Sequence, residues 1–158
     1  MRLPAVGLIA GIVLASCYAG PSFASDESDV MAVVKAYLAD MNNGDVTNFT
    51  KTCAPQTAII DDFPPHVWQG ANACADWLSA LVAYDAKTRV APEALTIGDP
   101  RRLSVNGEYA YVVMPAGYNY KRHGKPIDET HSVWTIALQK MADGWRVTGW
   151  TWSQGAPS

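Results

Sequence analysis

Asp61 stands at the end of the apolar pair Ile59-Ile60 and just ahead of Asp62-Phe63-Pro64-Pro65. An acid in that position can lose part of its water. Burial disfavours the charged carboxylate and raises its pKa toward the range of a useful general base. The position also suits a turn residue whose carboxylate accepts backbone N–H bonds before the prolines, and that role lowers the pKa. Both readings are open on the residues alone. The histidines add less. His66 follows Pro65 at the same turn, His131 lies in the middle of a predicted strand, and His123 falls in a turn. None has a serine or carboxylate at triad spacing, so hydrolase chemistry is not expected. The chain has six tryptophans. Trp68, Trp134 and Trp150, with Tyr118, are candidates to wall a pocket for a flat apolar ligand, while core packing explains most of the aromatic residues equally well. Two cysteines without nearby histidines make no zinc cage, and neither a metal nor a cofactor is expected.

The elements that must position these groups fall into two halves. In the first, Val30, Val33, Val34, Tyr37, Leu38 and Met41 form a helical stripe over 29–43, with Gly44 as the stop. Asp45 caps a short helix over about 46–53, with Val46, Phe49 and Cys53 turned inward. A brief strand over 58–60 runs into the prolines, and Val67-Trp68 resumes an edge strand. A third helix runs to about Lys87, with Cys74, Trp77, Leu78, Leu81 and Val82 as its stripe. In the second half, Asn106-Gly107, His123-Gly124 and Asp143-Gly144 separate runs rich in β-branched and aromatic residues. Such pairs favour the positive φ of tight hairpins, so a meander over roughly 94–105, 108–122, 125–140 and 145–153 is predicted. Gly98-Asp99-Pro100, Pro115 and Gly117 mark kinks, and a kinked sheet curls. Along the third of these strands Thr130, Ser132, Trp134, Ile136 and Leu138 are expected on one face. On the last, Trp150 and Trp152 are expected opposite Trp145 and Val147. Helices followed by a meander give an α+β domain with one sheet face covered.

Composition bounds the rest. With 158 residues, 49% apolar and 17% charged, the chain can bury one real core. A net charge of -3 without a basic block leaves no electrostatic footprint for nucleic acid. Residues 1–24 read as a signal peptide, with a short apolar run, the breaker Gly20-Pro21 and small residues at Ser22 and Ala24. The run is too short to span a bilayer, so no transmembrane helix is expected. Leu14-Ala15-Ser16-Cys17 supports an alternative, a lipoprotein leader over 1–16 with Cys17 acylated. Residues 25–28 then form a linker, 29–153 the domain and 154–158 a tail. Either leader places the domain outside the cytoplasm, secreted or periplasmic, or held at a membrane by Cys17. In an oxidising compartment the remaining pair, Cys53 and Cys74, is expected to form a disulfide rather than two buried thiols.

The order of elements over about 29–153, the Asn43-Gly44-Asp45 helix stop, the Asp143-Gly144-Trp145-Arg146-Val147 hairpin and the closing Trp152-Ser153 resemble the nuclear-transport-factor-2-like superfamily. The chain looks most like its SnoaL-like branch, which is related to polyketide cyclases and ketosteroid isomerases. The resemblance implies a cone: a curved antiparallel sheet packed over three N-terminal helices, with an apolar cavity at the open end and a homodimer through the outer sheet face. It also implies site residues. The isomerases carry an oxyanion-hole tyrosine ahead of a Gly-Asp helix stop and a general-base aspartate at the end of the following strand. Here those positions are Tyr37 and Asp61. The isomerases' second acid would fall at Ile136, so half of that oxyanion hole is missing.

Three functions follow from these features. The first is an extracytoplasmic domain whose pocket binds a small apolar molecule. The second is an isomerase or dehydratase in which Asp61 moves a proton and Tyr37 steadies an oxyanion, with His66, Trp68, Tyr118, His131, Trp134 and Trp150 around the ligand. The third is a dimeric interaction module without chemistry.

Overall fold

Val30, Val34 and Tyr37 are wholly buried, so the 3.6-residue stripe becomes the core face of helix α1, Phe23–Asn43. The computed structural model describes residues 23–155. The expected leader and Cys17 lie outside the described residues, and so do the last three residues of the expected tail. The helix begins ahead of the stripe, and the expected boundary after Ala24 falls inside it. Asp26 anchors this first turn through an ion pair with Lys140 Nζ at 2.6 Å.

Gly44, at φ 67°, ends α1. Asp45 caps helix α2, Val46–Thr52, by accepting the Asn48 backbone N–H at 3.0 Å. Val46, expected inward, is 51% exposed: it is the first residue of the helix, at the rim of the core that buries Phe49. Strand β1, Cys53–Ile60, follows without a gap and is longer than the expected 58–60. β2, Val67–Gly70, pairs antiparallel with it at the sheet edge. Helix α3, Ala73–Thr88, buries Ala73, Cys74 and Trp77. Val82 does not join that stripe and is 63% exposed. A disulfide joins Cys53 at the start of β1 to Cys74 at the start of α3.

The remaining strands are β3 (Val90–Ile97), β4 (Arg102–Asn106), β5 (Tyr109–Arg122), β6 (Lys125–Met141) and β7 (Gly144–Ser153). The predicted first meander strand is thus two strands, split at Gly98-Asp99-Pro100, and both pair with β5. The sheet runs β2-β1-β7-β6-β5-β3, antiparallel except for the parallel pair β1–β7. His123 and Gly124 both have positive φ, the signature of the two-residue turn that matches strand twist. Among the described residues, no helix is long and apolar enough to cross a membrane.

Two register shifts change which side chains face the helices. Between β5 and β6 the pairing passes from Ala116–Ser132 to Tyr118–Glu129, so Thr130 and His131 oppose Gly117 alone. His131 takes φ 64° to make this bulge. Glu129, not the expected Thr130, therefore joins Ser132 and Trp134 on the inner face, where it is 3% exposed. A second shift gives β7 one extra residue, Thr148, opposite Ala137–Leu138. Trp150 and Trp152 thus share the inner side with Trp145 and Val147 instead of opposing them, since their partners Ile136, Trp134 and Leu138 are all on that side.

Gly149 sits where β7 meets β1. A Cβ there would lie 2.7 Å from the carbonyl oxygen of Ala58. Gly149→Ala is expected to destabilise by about 1–2 kcal/mol through strand displacement. Urea unfolding should show this as a midpoint lowered by roughly 1 M at unchanged slope.

Candidate functional site

A cavity of about 820 Å³ opens between the ends of α1 and α2, the inner face of α3 and strands β3 and β5. Part of its wall is aromatic, with Phe49, Phe63, Trp77, Tyr84, Trp134 and Trp150 all lining it. Among the described residues no group of acids, histidines and cysteines is arranged to hold a metal ion.

Asp61 reaches this cavity by strand alternation. Thr57 and Ile59 face inward and Ile60 is half exposed, so the next inward position is Asp61, itself 9% exposed. The chain then turns, and the Asp61 backbone N–H donates to the His66 carbonyl at 3.0 Å. Trp77, on the buried face of α3, donates its Nε1–H to Asp61 Oδ2 at 2.8 Å. The Asp62 backbone N–H donates to Oδ1 at 2.8 Å. Burial raises the Asp61 pKa to about 7, against the two hydrogen bonds that lower it; the neighbouring Asp62 carboxylate adds to the rise. A carboxylate poised there is half ionised near neutral pH and can take or give a proton.

Of the other acids that line the cavity, Asp85 and Glu129 act with Asp61 on one region. Asp85 extends the α3 stripe of Trp77 and Leu81 by one further turn. Burial raises its pKa to about 6 while the nearby Arg122 pulls it down. Glu129 accepts from Ser132 Oγ and from Trp152 Nε1 at 3.1 Å on Oε1, and from Gln154 Nε2 at 3.1 Å on Oε2. Tyr118 lies among them. Burial, then the charges of Asp85, Tyr120, Glu129 and Asp61 in turn, push its ionisation well above the ordinary tyrosine value.

Of the residues singled out in the sequence, Asp61, Tyr118, Trp134 and Trp150 line the cavity. Tyr37 does not. Its ring is fully buried and stacks on Phe49 at 4.5 Å. Its hydroxyl accepts from Trp150 Nε1 at 3.1 Å and is free to donate to the disulfide, with Cys53 Sγ at 3.6 Å and Cys74 Sγ at 3.8 Å. Burial holds that hydroxyl protonated. The core stripe thus consumes the group that the family pattern would place on an oxyanion. Trp68 packs behind the wall, against Phe63 at 4.9 Å. His66 is exposed with Nδ1 at 3.1 Å from the Asp61 carbonyl oxygen, and His131 is exposed with Nδ1 at 2.9 Å from Thr130 Oγ1. Neither histidine enters the cavity. Sequence reasoning missed Glu129 and Asp85. For Asp85 a signal exists, an acid in register with an apolar stripe.

A family model described as a SnoaL-like domain matches residues 30–157. Among solved structures, a ketosteroid isomerase-like protein from Erwinia carotovora atroseptica is similar at 18% identity and TM-score 0.67, over 85% of this chain and 100% of that one. A candidate dehydratase of the nuclear transport factor 2-like family from Streptomyces avermitilis is similar at 17% identity and TM-score 0.65, over 84% and 99%. A nuclear transport factor 2-like superfamily protein from Salmonella enterica has 18% identity and TM-score 0.69, over 85% and 94%. At these identities the likeness is one of fold. No curated protein matches the sequence significantly.

Proposed function

We propose that this chain, which belongs to the SnoaL-like domain family, binds a small molecule with an apolar body in its cavity and that Asp61 moves a proton on it. The observation that carries this is a buried carboxylate at an aromatic-walled cavity, held by two N–H donors and raised to about 7. The chemistry is of the isomerase or lyase type: Asp61 removes a proton beside an electron-withdrawing group and returns it, or hands it to a leaving group. Tyr37 has no part in it. The Cys53–Cys74 disulfide supports an extracytoplasmic location, because such bonds persist in oxidising compartments.

Two measurements test this reading. Carbon-detected NMR should find the Asp61 carboxyl titrating near pH 7, and a midpoint at or below the ordinary aspartate value removes the proton-transfer role. A thermal-shift screen of aromatic and alicyclic compounds should find ligands that raise Tm, since a ligand that binds only the folded state stabilises it. A flat response across the screen removes the binding reading.

A further inference from the structure

The cavity is acidic as well as aromatic. Asp61, Asp85 and Glu129 line it, and the only lysine, arginine or histidine among the described lining residues is Arg122. The Arg122 guanidinium lies over the Tyr120 ring at 5.3 Å and offsets part of the Asp85 charge, which leaves the acids of the lining in excess. Glu129 is the strongest case. It is 3% exposed, yet its three hydrogen-bond partners, Ser132, Trp152 and Gln154, are all neutral. A buried carboxylate normally has a cationic partner, because neutral donors replace only part of its hydration. The acids act on one region: their charges converge on Tyr118. A low-dielectric hollow lined by one sign of charge concentrates ions of the other sign. The indole rings of Trp77, Trp134, Trp150 and Trp152 supply the π-faces on which an organic cation is held.

We infer that the cavity takes a protonated organic amine with an aromatic or alicyclic body, its ammonium toward Glu129 and Asp85 and its body against the tryptophans. This rests on the reading of the cavity as a binding site and narrows its ligand class. Glu129 and Asp85 hold the ligand, leaving Asp61 to act on the carbon skeleton.

The test uses three probes that share one benzyl alcohol body: phenylethanolamine, which carries an ammonium; α-ethylbenzyl alcohol, which is neutral; and mandelate, which is an anion. Calorimetric titration of the intact protein near neutral pH and at low salt should rank the ammonium at least tenfold tighter than the neutral alcohol, with mandelate weakest. Added salt should narrow that gap. Glu129→Gln keeps an oxygen acceptor for the surrounding donors and removes the charge; it should shrink the preference at least fivefold. Asp85→Asn, outside that hydrogen-bond network, should act in the same direction and serves if Glu129→Gln does not fold. Equal or tighter binding of the neutral or anionic probe overturns the amine inference and leaves the cavity as a binding site. Failure of all three probes to bind, in a protein whose circular dichroism is native, overturns both.

Discussion

Asp61→Asn is expected to make the protein more stable at pH 8 by about 2–3 kcal/mol while removing most of any turnover, a loss of roughly 10²-fold or more. The stability gain follows from where the proton sits. In the folded chain Asp61 keeps its proton up to about pH 7, whereas a free aspartate side chain gives it up near pH 3.8. Between those limits the folded state holds the extra proton. Stability therefore falls as pH rises through that window and is level above it. A shift of this size corresponds to about 4 kcal/mol, and Asp61 is 9% exposed, so little of it is screened. Asparagine carries no charge to desolvate. Its single amide oxygen can accept from only one of the two N–H donors, Trp77 and Asp62, that the carboxylate now satisfies, at a cost of about 1 kcal/mol. Urea unfolding at pH 4.5 and pH 8 checks this. The variant should be no more stable than the parent in acid, clearly more stable in base, and should have a flatter profile between. Parallel profiles for the two proteins would mean that Asp61 titrates normally.

The second large effect concerns the disulfide. Cys53 and Cys74 are 21 residues apart. In the chain-entropy model a closed loop of that size contributes about 3 kcal/mol. Cys53→Ser with Cys74→Ser should lower Tm by roughly 10 °C. Adding reductant to the parent protein should reproduce the fall, and adding it to the double variant should do nothing. More than stability is at stake. The disulfide sulfurs lie beside the Tyr37 hydroxyl, Tyr37 accepts from Trp150, and Trp150 packs edge-on against Trp77 at 4.9 Å. Trp77 in turn holds the Asp61 carboxylate. The double variant should therefore also shift the Asp61 titration, a readout that a purely global loss of stability would not move.

The order of elements is legible in the sequence because its signals are local. Stripes at helical spacing, the Gly44 stop, the Asp45 cap and the X-Gly turns each act within a few residues. The inward placement of Asp61 is legible for the same reason, since alternation from Ile59 carries over to it. What alternation cannot carry is a face across a bulge. Counting in twos back from Trp134 reaches Ser132 and then Thr130, and only the positive φ of His131 rotates Glu129 inward instead. Histidine is among the residues that accept that conformation more readily, which is a weak signal at best. Trp150 and Trp152 are misassigned for the same reason, through Thr148. Tyr37 shows a different limit. Its position in the chain fits the family's oxyanion tyrosine, but the direction of a hydroxyl depends on neighbours far away in sequence, here Trp150 and the disulfide.

The parallel pairing of β1 with β7 has a consequence for how the protein is made. Thr57 Oγ1 donates to the Val147 carbonyl 90 residues further along, and Ala58 pairs with Gly149. The strand that leads into Asp61 thus has no inner neighbour until the last strand exists. A ribosome-bound or truncated chain that lacks the final strand can form its helices and the β4–β5 and β5–β6 hairpins but leaves that strand unsupported on one side. Long-range closure of this kind is slow, and it keeps the nascent chain from locking until its last strand has been made.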